Sequence, residues 1–141
     1  MSLYSYWLPS EKQSIHFIQF KDYLNLRIRG CQLRGFRGIT KDDNGVYYLI
    51  LDKMKQTLSD FVESSKFNPN NIYQICRQIA KVLKEIYPNV HGNLNRDNIL
   101  QRFDQQWVLS ELEFPVKSTT PEEDIHDFGC LVYDLLSTTH R

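Results

Sequence analysis

The most constraining stretch of the chain runs from Asn70 to Tyr87. Ile72, Ile75, Ile79, Val82, Leu83 and Ile86 recur at the spacing of one helical face, while Gln74, Arg77, Gln78, Lys81, Lys84 and Glu85 fill the other. Such a stripe needs a second layer to pack against. Pro88 stops the helix, because its ring cannot continue the ladder. A second segment, Asp124 to Leu136, is patterned differently. Ile125, Phe128, Leu131, Val132, Leu135 and Leu136, with Cys130 and Tyr133, make it apolar nearly all round, which predicts a buried helix. The chain of 141 residues suits one domain burying roughly 70% of its unfolded surface.

Shorter elements surround these two. Thr57-Leu58-Ser59-Asp60-Phe61-Val62-Glu63 reads as a short helix, with Thr57 as cap and Asp60 three residues on. Leu33 to Thr40 and Val46 to Leu51 are strand candidates, joined by Lys41-Asp42-Asp43-Asn44-Gly45, a turn rich in residues that accept positive φ. Ile99 to Phe103 and Trp107 to Leu109 form two more, separated at Gln105-Gln106. Upstream, Ile15 to Ile28 is expected to be helix passing into an extended segment, and residues 1–14 show no clear period.

Seventeen basic and seventeen acidic residues leave no net charge, hence no global drive toward nucleic acid or an anionic membrane. The longest apolar run, Val46 to Leu51, is too short to span a bilayer. No charged region followed by an apolar stretch opens the chain, so an intracellular, non-secreted protein is expected. Cys31, Cys76 and Cys130 have no zinc or redox spacing and are expected to be buried free thiols. His16, His91, His126 and His140 are scattered, so no metal site is expected. Arg27, Arg29, Arg34 and Arg37 cluster near Phe36. Nucleic-acid binding there is not expected unless the host assembly is a ribonucleoprotein.

The ten residues His91-Gly92-Asn93-Leu94-Asn95-Arg96-Asp97-Asn98-Ile99-Leu100 resemble the protein-kinase catalytic loop, H-R-D-L-K-x-x-N followed by two apolar residues. His91, Leu94, Asn98, Ile99 and Leu100 match. Asn93 replaces the catalytic Asp and Asn95 the Lys. Ser110-Glu111-Leu112-Glu113-Phe114 falls at the D-F-G position with Glu111 for Asp. Asp124-Ile125-His126-Asp127-Phe128-Gly129 resembles the D-x-W-S-x-G helix opening, and Pro121-Glu122 the end of A-P-E. The resemblance covers about Leu33 to Leu136. It implies an α+β, partial protein-kinase-like fold in one truncated domain. Residues 1–54 would hold a small β-hairpin remnant of the N-lobe and the hinge (Leu49 to Met54), and residues 55–141 a shortened, mainly α-helical C-lobe.

The resemblance also implies which functions are lost. No glycine-rich loop or V-A-I-K lysine can be assigned. An amide at Asn93 cannot act as a base, and losing one typically removes ~10²–10⁴ in rate. Twelve residues between Glu111 and Asp124 are too few for an activation segment. Catalysis is therefore not expected, nor is a cofactor. Asn98 and Glu111 are the weak candidates for magnesium and nucleotide, against a bracing role for Asn98. In the family, the loop His packs under D-F-G and the helix-opening Asp anchors the loop backbone, roles that fall to His91 and Asp124. The kinase helices that would cover Phe128, Leu131, Val132, Leu135 and Leu136 find no counterpart before Arg141, so an exposed apolar patch and other protein subunits are expected. The leading expectation is an inactive structural or adaptor subunit. The alternatives are a regulatory pseudokinase that retains Mg-nucleotide binding and a weakly active phosphotransferase.

Overall fold

The computed structural model describes residues 3–7, 33–41, 43–45, 47–110 and 120–138. Among them run strands β1 (Leu3–Trp7), β2 (Phe36–Lys41), β3 (Tyr47–Asp52) and β4 (Gln56–Thr57), and helices α1 (Leu58–Glu63) and α2 (Pro69–Ile86). Strands β5 (Ile99–Gln101) and β6 (Trp107–Leu109) and helix α3 (Pro121–Thr138) follow. The protein is mixed α and β. Its strands form two three-stranded antiparallel sheets, ordered β1-β3-β2 and β4-β5-β6.

The β2–β3 pair is the expected hairpin, closed near Gly45 at φ +82°. It is not the whole sheet. Leu3-Tyr4-Ser5-Tyr6-Trp7 pairs along the other edge of β3, from Leu3 opposite Asp52 to Trp7 opposite Tyr48. An aromatic-rich segment suits a pleated surface, and its pairing protects an edge that would otherwise present open backbone groups. The expected hairpin remnant is thus a three-stranded sheet. The strand expected from Leu33 begins only at Phe36, and a bulge at Arg37 shifts the register between Phe36 and Gly38.

Residues 33–35 have a different task, which is to join the two sheets. Leu33 makes a parallel bridge to Leu109, and Arg34 N donates to Leu109 O at 2.8 Å. Asp52 N donates to Gly35 O at 2.7 Å, and Arg34 Nε to Asp52 O at 2.7 Å. A Cβ at Gly35 would fall on the Asp52 carboxylate, so a larger residue there would have to displace that side chain. Of the expected hinge, Leu49 to Asp52 is the end of β3, and Lys55 N already donates to Gln101 O at 2.8 Å. The helix expected over Ile15 to Ile28 lies outside the described residues.

The expected cap of α1 appears, and α2 has a cap of its own. Thr57 caps α1 in a reciprocal box, its Oγ1 accepting from Asp60 N at 3.1 Å while Thr57 N donates to Asp60 Oδ2 at 3.3 Å. Asn68 caps α2, with Pro69 in the first turn, where its missing N–H costs nothing. The six periodic residues of α2, Ile72 through Ile86, are all buried. They pack with Leu33, Leu58, Phe61, Ile99, Trp107, Leu109, Leu131 and Leu135 in one core. Phe61 and Trp107 meet edge to face, with ring centroids 5.4 Å apart.

Helix α3, expected to be covered on part of its apolar surface and to leave the rest as an exposed patch, buries one face, and Leu131 and Leu135 of the expected patch belong to that buried face. Leu131, Leu135 and Asp124 are buried, Phe128 and Val132 are half-buried, and Ile125 (59%), Tyr133 (75%) and Leu136 (48%) are exposed. A helix lying on a single core can bury only the face it turns toward it. The expected buried thiols are also only partly found. Cys76 is half-buried and Cys130 is exposed, while Cys31 lies outside the described residues. Among the described residues no helix is long and apolar enough to cross a membrane.

Candidate functional site

The loop from His91 to Asn98 lies between the end of α2 and β5, and α3 holds it from one side. Asp124, buried in the first turn of α3, accepts His91 N on Oδ2 at 2.6 Å and Gly92 N on Oδ1 at 3.1 Å. One carboxylate therefore satisfies two consecutive backbone amides, and charge-assisted bonds of this kind are roughly twice as strong as neutral ones. Gly92 sits at φ +90°, a conformation glycine adopts without steric cost.

His91 is 1% exposed. Its Nδ1 accepts from Asn93 N at 3.3 Å, which places the proton of the neutral ring on Nε2. Nε2 lies 3.0 Å from Ser110 Oγ, so the ring bridges the loop to the end of β6. Ser110 N in turn donates to Asn98 O at 2.9 Å. The imidazole is fully engaged in holding the loop against the sheet.

The asparagines are equally committed to the loop. Asn98 Nδ2 donates to Asn93 O at 2.8 Å, Asn95 Nδ2 to Asn93 Oδ1 at 3.0 Å, and Asp97 N to Asn95 Oδ1 at 2.9 Å. An amide side chain offers both a donor and an acceptor, so these three can bond to one another and to the loop backbone. At its far end the loop is tied to α3 again. Arg96 Nε donates to Asp134 Oδ2, and Arg96 Nη2 to Thr138 Oγ1 at 3.1 Å.

A cleft of about 490 Å³ opens beside this loop. It is lined by Arg34, Lys53, Lys55, Thr57, Asp97 and Asn98, among others, and among the described residues no glycine contributes to its wall. Two of the cations are already used: Arg34 Nε on Asp52 O, and Lys55 Nζ on Gln105 Oε1 at 3.0 Å. The cleft has polar groups that an anion would find attractive.

The structure thus brings His91, Asn93, Asn95, Asn98 and Asp124 into one hydrogen-bonded unit. Glu111 lies outside the described residues, as do Arg27 and Arg29 of the basic cluster. Leu131 and Leu135 belong to the core, whereas Leu136 does not. Sequence reasoning missed Ser110 as the partner of His91, and the Arg96–Asp134 pair. Asp134 gave a signal, since an acid flanked by apolar residues in α3 needs a partner. Searches with the sequence find no matching family model and no matching curated protein.

Proposed function

We propose that the protein is a catalytically inactive kinase-like domain that acts as a structural or adaptor subunit. One observation carries the reading: the loop aligned with a catalytic loop spends its side chains on bracing. Asn93 stands where a base would be, and its main-chain and side-chain oxygens take hydrogen bonds from Asn98 and Asn95. His91 and Asp124 persist in roles that need no substrate. The exposed apolar residues of α3, Ile125, Tyr133 and Leu136, supply the surface through which a subunit would dock.

Radiolabelled ATP with magnesium tests the inactive part, with no label transfer expected to the protein itself or to generic substrates. Transfer that depends on Asn93 or Asn98 would overturn it. The docking part is tested by binding of an apolar fluorescent dye to the native chain. Ile125→Glu and Tyr133→Glu are expected to lower the signal, and a native chain that binds no dye would remove this part.

A second reading is a regulatory domain that still binds Mg-nucleotide. The cleft beside Asn98, with Arg34, Lys53 and Lys55 on its wall, favours it. Thermal denaturation separates the two, because a ligand at 100 times its Kd adds ~2.7 kcal/mol of stability. A saturable shift with Mg-ATP selects the regulatory reading, and an unchanged midpoint the structural one.

A further inference from the structure

A groove runs along the seam between α2 and α3. At one end Leu83 and Tyr87 face Pro121, Glu122 and Ile125 across a hollow of about 220 Å³. A second hollow of about 330 Å³ lies between Ala80, Leu83, Lys84 and Tyr87 on one side and Ile125 and Phe128 on the other. Leu83, Tyr87 and Ile125 belong to both, so the two are sections of one groove. Leu83 is part of the core and Phe128 packs against it, which makes them the floor. Tyr87 (64% exposed) and Ile125 (59%) stand at the lips. The groove is therefore open along its length, unlike the concave pockets that bury most of a small ligand.

Its two banks differ in charge. The exposed residues of α2 on this side include Arg77, Lys81 and Lys84, whose spacings of four and three place them on one face of the helix. Lys81 reaches Glu85 at 3.8 Å. Among the described residues, Arg77 and Lys84 have no carboxylate partner. From Pro121 to Thr138, α3 carries Glu122, Glu123, Asp124, Asp127 and Asp134, and no lysine or arginine. Glu122 lines the groove itself, whereas Asp124 is engaged by the loop and Asp134 by Arg96.

Banks of opposite sign select among occupants. A nucleic acid or an anionic membrane drawn to Lys84 would bring its negative charge against Glu122 as well. A polycation meets the reverse conflict at Arg77 and Lys84. An extended segment finds helix side chains here and no sheet edge, so its backbone groups gain no partners. A helix satisfies its own backbone and needs only an apolar stripe to lie on the seam of two others. The sign of the α2 bank then fixes which flank of that helix is acidic.

We propose that the groove receives an amphipathic helix of a partner protein, with its apolar stripe on Leu83, Phe128 and Ile125 and an acidic flank along Arg77 and Lys84. The other flank, facing Glu122, is neutral or basic. This assignment rests on the outer surface of α3 being a docking surface, and the test keeps the two apart.

A displayed library of helices as long as α2 is panned against the full chain. Leucine or phenylalanine occupies the stripe at helical spacing, and glutamate, glutamine and lysine are allowed equally on both flanks. The expected binders carry glutamate on one flank only. A synthetic peptide of the enriched sequence should bind Lys84→Glu and Arg77→Glu about tenfold more weakly each, and lysine in place of its glutamates should recover binding to Lys84→Glu. Ile125→Glu should abolish binding, while Lys53→Glu, in the cleft beside Asn98, should leave it unchanged. All four replaced residues are exposed, so none of these changes removes core packing. Affinity should fall with added salt, because the Debye length shrinks from about 10 Å at 0.1 M to about 3 Å at 1 M. Binders without a charge preference, binders enriched in lysine, or binding that survives Ile125→Glu or ignores both Lys84→Glu and Arg77→Glu would each overturn the proposal. A chain that yields no helical binder yet still binds the apolar dye would overturn it too, while leaving the docking surface standing. Neither binder nor dye would remove both.

Discussion

Helices α2 and α3 have the same length and lie on the same core, yet they are governed by different rules. In α2 every periodic apolar residue from Ile72 to Ile86 is buried, while Gln74, Arg77, Lys81 and Lys84 are exposed. In α3 only Leu131, Leu135 and Asp124 are buried, and three large apolar side chains face out. An amphipathic stripe orients its own helix, because only one rotation buries it. A helix that is apolar on most sides has no such preference, so something else must choose its rotation. Here the choice falls to polar contacts: Asp124 on the His91 and Gly92 amides at one end, and Asp134 and Thr138 on Arg96 at the other.

The comparison is best broken first at adjacent leucines of α3. Leu135→Ala removes a fully buried side chain and should cost ~2–5 kcal/mol in urea denaturation. Leu136→Ala, on the outer face, should stay within about 0.5 kcal/mol. Equal losses would mean that the outer face is also core. Next in size is the polar anchor. Asp124→Ala leaves two amides without their acceptor and should cost about 3 kcal/mol, since bonds to a charged group contribute about 1.5–3 kcal/mol each. Asp124→Asn, which keeps one acceptor, should lose about half of that. A neutral effect of both would show that the apolar contacts alone set the rotation of α3.

A smaller effect is expected at the start of α2. Asn68→Ala removes an oxygen that accepts Asn70 N at 2.9 Å and should cost about 1 kcal/mol. Helix content in far-UV circular dichroism should remain, because the stripe rather than the cap holds this helix. The smallest effect separates the two thiols. Burial pushes the Cys76 thiol up from its ordinary value, so the folded state favours the protonated form. Its contribution is fully present below the unfolded thiol range and is lost as pH rises through the raised folded value. Denaturation of wild type and Cys76→Ala should therefore converge in one direction only, toward alkaline pH. Cys130, being exposed, should react with a thiol reagent faster than Cys76 throughout.

Much of the candidate site was legible in the sequence because its determinants are local or pairwise. Thr57 with Asp60, Asn98 as a brace, and the Asp124 anchor of the His91 loop can each be named from spacing or from the family resemblance. Ser110 could not, since nothing local marks a serine at a strand end as the partner of a histidine nineteen positions earlier. Pairing of Leu3–Trp7 along β3 was likewise hidden, because a sheet order depends on which edges meet and not on the strand itself.

By itself the sequence determined that α2 is a helix with one buried face and that it stops before Pro88. These follow from periodicity and from the proline ring, which are properties of short stretches. The tertiary structure alone decided which side of α3 meets the core and which is left outside. A segment apolar in nearly every direction satisfies the hydrophobic effect in several rotations, and only the partners of Asp124 and Asp134 distinguish among them. That choice is also what leaves Ile125 and Tyr133 on the surface.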